Sequence, residues 1–178
     1  SLLTANAARH RDNPEFQQDM LDTVENVLGR MQGLLLQLRA GTKPIEKPAA
    51  VPVVEVLGAA IRSKRALKPV PALTVEEELQ DAAVNAHRDR LERVVGHLVQ
   101  NAAEATRPDG NIWVRLKRAG EGVVIEIEDT GKGMSEQFVR EQLFKPFQST
   151  KEHGMGIGTF ESREYIRELG GTLEVSSA

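Results

Sequence analysis

The sequence predicts a two-layer α/β sandwich of the α+β kind, preceded by one long helix. Three observations carry that expectation. A heptad-spaced apolar seam gives way to a proline-punctuated stretch, helix-period and strand-period segments then alternate, and ten of the 15 glycines fall between Gly110 and Gly171. With 178 residues, 40% hydrophobic and 28% charged, the chain can bury one ordinary core with a helical appendage. A net charge of −3 leaves no broad footprint for nucleic acid or an anionic membrane, so no nucleic-acid partner is expected. The absence of cysteine excludes disulfides, thiolate metal sites and thiol catalysis. No apolar run approaches a membrane span, and Ser1-Leu2-Leu3-Thr4-Ala5-Asn6 lacks a signal-peptide flank. The stretch therefore reads as soluble and cytoplasmic, with no direct membrane contact.

The long helix is expected over residues 14–40, with Asn13 as its N-cap, Pro14 in its first turn and Gly41 as its stop. Met20, Val24, Val27, Met31, Leu34 and Leu38 recur at alternating steps of four and three, and Leu21, Leu28 and Leu35 widen the stripe. So broad a stripe needs a partner, either a second copy of the same helix or sequence beyond this chain; an ordinary core helix is the other reading. Pro44, Pro48 and Pro52 mark 42–52 as an extended linker. The pattern then predicts a helix over 54–67, a strand over 73–78, a short strand at 82–84 and a helix over 88–106. Leu91, Val94, Val95, Leu98, Ala102 and Ala105 form the core face of that last helix. Two strands follow, 112–118 and 123–129, joined by a turn around Gly120-Glu121-Gly122. A loop-rich stretch runs to Gly158, a helix continues to Leu169 and closes on Gly170-Gly171, and a last strand spans 172–176.

Three constellations carry chemistry. In the strand ending at Asp129, Val123, Ile125 and Ile127 face inward and Asp129 falls in phase with them. A carboxylate there needs donors, and Gly131 and Gly133 follow at once, allowing close approach to the backbone. Asp129 either accepts from the exocyclic amine of a ligand or caps the next turn. The second constellation, Gly154-Met155-Gly156-Ile157-Gly158, opens a helix whose unencumbered N–H groups form an anion site, with Thr150 and Lys151 just before it. The third is the polar stripe His97, Asn101 and Glu104 on the helix over 88–106, in which the Asn101 amide oxygen suits one position of a magnesium ion completed by phosphates and water. A solvated helix face is the plainer alternative. Phe144, Pro146 and Phe147 either pack as core or form a hinge.

In this order, the three constellations resemble the GHKL superfamily of ATP-binding domains, and specifically the catalytic domain of bacterial sensor histidine kinases. His97-Leu98-Val99-Gln100-Asn101-Ala102 resembles the N box and Asp129-Thr130-Gly131-Lys132-Gly133-Met134 the first glycine box. Phe144-Lys145-Pro146-Phe147 resembles the F box, and Gly154 to Gly158 the second glycine box. Residues 144–158, with Ser149-Thr150-Lys151, are similar to nitrogen-regulation-like kinases; a closer resemblance is to the sensor kinases of PEP-CTERM/exosortase systems. The resemblance implies ATP and Mg2+ as cofactors. Asp129 would bind the adenine amine and Asn101 the magnesium, with His97 and Asn101 as the catalytic pair. Glu104, Gly131, Gly133, Met134, Phe147, Thr150, Lys151, Gly154, Met155, Gly156, Ile157 and Gly158 would line the nucleotide.

It also implies an organisation: 1–41 as a remnant of the dimerisation and histidine-phosphotransfer hairpin, 42–52 as linker, and 53–178 as a catalytic domain lacking its final turn and strand. The expected activity is transfer of the ATP γ-phosphoryl group to a histidine of the hairpin, then to an aspartate on a response-regulator receiver domain. The expected assembly is a homodimer through helix 14–40, in the cytoplasmic part of a membrane-anchored sensor. Two departures bear on this. Position 97 is His where hydrolysing relatives carry Glu, which favours phosphotransfer over the alternative of a GHKL ATPase, and Glu104 replaces a basic residue common in the family. The phosphoacceptor motif is missing: His10-Arg11-Asp12-Asn13-Pro14 is only a faint echo, so the acceptor is expected upstream and this stretch is not expected to phosphorylate itself.

Overall fold

A computed structural model describes residues 13, 15–18, 20, 21, 23, 24, 27, 31, 47–64, 66–146 and 156–177. The chain divides into two compact units, Ser1–Ile45 and Glu46–Ala178. In the first unit the described residues from 15 to 31 are helical. Asn13 caps this helix as its side-chain chemistry predicts: Oδ1 accepts from the N–H of Glu15 at 3.0 Å. Met20, Leu21, Val24, Val27 and Met31 are 41–56% exposed, so the described part of the expected stripe is unburied. Leu28, Leu34, Leu35 and Leu38, with Pro14, Gly41 and His10, lie outside the described residues.

The second unit begins earlier than the proline spacing implies. Ala49–Pro52, expected as the end of the linker, is a strand (β1) pairing antiparallel with Ala83–Ala86 (β3). Pro52 can occupy it because, among the described residues, the pair forms a separate two-stranded sheet whose strands each keep an open edge. Between them, α1 runs Val53–Ser63, shorter than expected, and the Ser63 hydroxyl donates to Ala60 O at 2.7 Å in its last turn. Strand β2, Ala72–Val75, also stops early. The chain turns into a 3-10 helix at Glu77–Leu79, which buries Leu79 to 1% exposure where a continued strand would alternate past it.

Helix α2, Arg88–Ala105, lies along the core; Val99 and Ala103, outside the expected core face, are buried, whereas Leu98 and Ala105 are only half-buried. The extra burial arises because α2 packs on α1, on strand β5 (Gly122–Asp129) and on α4 (Gly158–Glu168), not on a single surface. Strand β4, Ile112–Ala119, pairs parallel with β2 and antiparallel with β5. Ile112, Val114 and Leu116 point into the core, and Gly120 takes the positive φ of 57° that the tight β4–β5 turn requires. The arrangement is the two-layer α/β sandwich expected.

Two differences follow β5. Glu136–Glu141 forms a short helix, α3, inside the stretch read as loop, capped by Ser135, whose Oγ accepts from the N–H of Phe138 at 3.2 Å. The last strand expected at 172–176 is not formed among the described residues. Burial still alternates there, Leu173 and Val175 being half-buried, but among the described residues β5 pairs with β4 alone and no ladder recruits the segment. Helix α4 does end as predicted, with Gly170 at φ 78° and the N–H of Gly171 donating to Ile166 O at 2.9 Å.

Candidate functional site

The site is built where the C-terminal half of α2 meets the end of β5 and the start of α4. Helical spacing puts His97, Asn101 and Glu104 on one stripe of α2, the first two half-buried and Glu104 exposed. Asn101 Nδ2 lies 2.9 Å from His97 Nε2, so the amide N–H donates to the ring when the imidazole proton is on Nδ1. Glu104 is drawn sideways along the helix. Its Oε1 accepts from Gln100 Nε2 at 2.6 Å, and Gln100 Oε1 accepts from Lys64 Nζ at 2.6 Å. Lys64 and Gln100 escaped the sequence reading; the i, i+4 spacing of Gln100 and Glu104 is the signal that could have found the second, whereas Lys64 arrives from α1 by tertiary folding.

Asp129 ends β5 opposite Ile112. It is exposed at the strand end, contrary to the inward placement its phase implies, because the ladder stops there and the chain turns away. Its Oδ1 accepts from the N–H of Gly131 at 2.8 Å and lies 3.3 Å from the Thr106 hydroxyl, so turn capping, one of the two readings, is realised. Both described bonds use one oxygen. The Oδ2 atom takes part in neither, and the carboxylate can cap the turn and still accept from a ligand.

The same turn is stitched to α2 by the N–H of Lys132, which donates to Ala105 O at 3.1 Å. A Cβ on Gly131 would collide with Asp129 Oδ1 and come 2.8 Å from Ala105 O, so only glycine fits. Thr106, buried and donating to Ala102 O at 2.8 Å, is a further residue the sequence reading missed. Next, Gly133 has φ 66°, and the N–H of Met134 donates to Ser177 Oγ at 2.7 Å.

Gly156 has φ 63°, Ile157 is buried and Gly158 begins α4, whose N-cap supplies no side-chain acceptor. The first N–H groups of such a helix have no intrahelical partner, so an anion is a natural occupant. Helix α4 is fixed against α2 by Tyr165: the N–H of His87 donates to its hydroxyl oxygen at 2.8 Å and the Arg90 guanidinium stands 3.9 Å over its ring. Burial pushes the Tyr165 phenol above its ordinary pKa, so it stays neutral. Phe144 packs, half-buried, under Arg163, whose guanidinium stands 4.5 Å over the ring and donates to Phe144 O at 3.4 Å. Phe147, Thr150, Lys151, Gly154 and Met155 lie outside the described residues.

Among the described residues no three His, Asp or Glu side chains converge as a metal site. A divalent cation held by Asn101 could take its other ligands from phosphate oxygens and water, which is the habit of magnesium. An amide ligates a hard cation through its oxygen, and in Asn101 the nitrogen is the atom engaged by His97, which is compatible with that role.

Residues 86–178, more than half of the chain and including every described element of the site except Lys64, match the model of the histidine kinase-, DNA gyrase B- and HSP90-like ATPase family. The chain belongs to this family. Its relatives in the family are sensor histidine kinases. It is 44% identical over 93 residues to the C4-dicarboxylate transport sensor protein DctB of Rhizobium meliloti, covering 51% of this chain and 15% of DctB. It is 34% identical over 96 residues to the sensor histidine kinase ZraS of Klebsiella oxytoca, covering 53% of this chain and 21% of ZraS. The chain thus spans less than a quarter of the length of these curated relatives. Among solved structures it resembles the catalytic domain of histidine kinase ThkA in a nucleotide-free form, at 26% identity and a TM-score of 0.59, covering 69% of this chain and 82% of that one. This GHKL ATPase domain has, among its described residues, no helix long and apolar enough to cross a membrane.

Proposed function

We propose that this chain is the ATP-binding catalytic region of a sensor histidine kinase, delivering the γ-phosphoryl group of ATP to a histidine that passes it to a response-regulator aspartate. The observation that carries the reading is that α2 and the residue after it join the parts of the site within a GHKL ATPase domain: His97 stands against both Asn101 and the position of a Gly158 side chain at the start of α4, and Thr106 bonds the Asp129 carboxylate at the end of β5. Asp129 accepts from the adenine amine through Oδ2 while Oδ1 holds the Gly131 turn. Gly131 and Gly133 let the base and sugar approach the backbone, with Met134 beside them. Asn101 offers Oδ1 to magnesium, which when bound neutralises phosphate charge. The N–H groups from Gly156 to Gly158 face the phosphates, and Phe147, Thr150, Lys151, Gly154 and Met155, outside the described residues, are assigned to the nucleotide from their motifs alone. These residues position the nucleotide and neutralise charge, most of what phosphoryl transfer asks of a protein. Glu104, held by Gln100, borders the site rather than supplying the usual cation.

Residues 1–41 are read as part of a dimerisation hairpin, with 14–40 the helix through which two copies pair, in the cytoplasmic part of a membrane-anchored protein. The exposure of Met20, Leu21, Val24, Val27 and Met31 supports this pairing. The phosphoacceptor is assigned to a histidine in a motif that this chain does not show, so self-phosphorylation of this stretch is not expected. The finer likeness to PEP-CTERM/exosortase kinases rests on the sequence motifs alone.

Calorimetric titration with ATP and Mg2+ tests the site: wild type binds and Asp129→Asn binds far more weakly, whereas unchanged affinity would refute the site as drawn. Steady phosphate release that vanishes in Asn101→Ala would instead favour an ATPase cycle. In sedimentation, a monomer independent of concentration would remove the hairpin assignment.

A further inference from the structure

A Cβ added to Gly158 would collide with Cε1, Nε2 and Nδ1 of the His97 imidazole. That same ring lies 2.9 Å from Asn101 Nδ2. One side chain therefore touches both the amide assigned to magnesium and the first residue of α4. We propose that His97 is a positioning residue that locks the Asn101 amide in its metal-ligating orientation, and that Gly158 is glycine because this ring must occupy the place of its side chain. The inference rests on the nucleotide site proposed above and deepens it.

An amide has two nearly isosteric branches, and only its oxygen ligates a hard cation. A hydrogen bond from Nδ2 to the ring selects the rotamer in which Oδ1 takes the other branch. The ring holds that position only while it stands against the bare Cα of residue 158, since a side chain there would push it off. The metal ligand on α2 and the anion-facing N-terminus of α4 are set in register by this one imidazole. The contact between His97 and Gly158 is not visible in the spacing of the two motifs, since these residues are sixty-one positions apart.

The test measures ADP affinity by calorimetry with Mg2+ and with EDTA, together with thermal midpoints. The variants are His97→Ala, His97→Gln, Gly158→Ala and the double variant His97→Ala with Gly158→Ala. Loss of an outer partner typically weakens metal binding by about 10–100-fold. The ratio of Mg2+ to EDTA affinity should therefore fall by about tenfold or more in His97→Ala, with EDTA affinity retained. His97→Gln, whose Oε1 can accept the same N–H, should keep most of the ratio. Gly158→Ala should lower both the midpoint and the ratio, and the double variant should recover the midpoint but not the ratio. A folded His97→Ala protein with the wild-type ratio would overturn the positioning role. Additive midpoint changes in the double variant would overturn the steric link. Failure of wild type to bind ADP in either buffer would instead remove the nucleotide reading itself.

Discussion

The two glycine runs of this domain do the same thing in sequence and different things in space. At Gly131 the missing side chain makes room for main chain, Ala105 O lying 2.8 Å from where a Cβ would be, and for the carboxylate that caps the turn. At Gly158 it makes room for a side chain, the His97 ring. A carbonyl at the end of α2 cannot retreat without unpicking the helix, whereas an imidazole can rotate away. A glycine run by itself therefore does not say whether space is reserved for ligand, for backbone or for a neighbouring side chain.

The contrast can be broken by experiment, beginning where the effect is largest. Gly131→Ala should destabilise the domain by about 1–3 kcal/mol in urea denaturation and abolish nucleotide binding, because the Ala105 carbonyl beside it is helix backbone that cannot give way. Asp129→Asn should leave stability nearly intact, since an amide oxygen still accepts from Gly131, yet weaken ATP by roughly tenfold or more through loss of a charge-assisted bond. A variant that lost stability and affinity together would show that the turn, rather than the ligand contact, is what Asp129 serves. Gly158→Ala should lower the thermal midpoint less than Gly131→Ala; an equal or larger drop would erase the distinction between the two runs.

Gly133→Ala sharpens the picture differently, because φ of 66° is the difficulty there. A non-glycine residue in that region costs about 1–2 kcal/mol, and Asn less, so Gly133→Asn should be milder by thermal denaturation. The smallest effect belongs to the far face of the sheet. There Lys117 and Arg115 hold the Glu126 carboxyl below its ordinary pKa by hydrogen bonds. A depressed carboxylate pKa contributes stability at neutral pH that is lost as pH falls through the acid range toward the folded-state value. The exposed setting keeps this contribution small. Glu126→Gln should flatten the acid limb of the stability curve slightly without altering ATP binding, and a change in nucleotide affinity would show that the sheet face communicates with the site.

Legibility followed locality. Helix α2 and strands β4 and β5 were readable to within a residue or two, because their apolar residues recur at 3.6 or 2 over long enough windows and Gly120 marks the turn between them. Strand β1 was not, since Ala49-Ala50-Val51-Pro52 shows no alternation and is held by β3, more than thirty positions away. The alternation at 172–177 misled in the opposite sense, a strand pattern without a strand partner. Of the site, Asn101, Asp129 and the glycines were readable from residue type and spacing. Thr106 and Lys64 were not, being ordinary polar residues whose roles arise only from their neighbours, and Gln100 was legible only through its i, i+4 spacing to Glu104.

By itself the sequence determined the family, the order of the site elements and the chemistry available to them, because those follow from residue type and local period. Tertiary structure decided that Asp129 meets Thr106, that Lys64 reaches Gln100, and that the His97 ring beside Asn101 stands against Gly158. The physical reason is that each of these depends on how closely two separate elements approach, and an approach of a few tenths of an ångström is fixed by packing of the whole core rather than by any short stretch of chain.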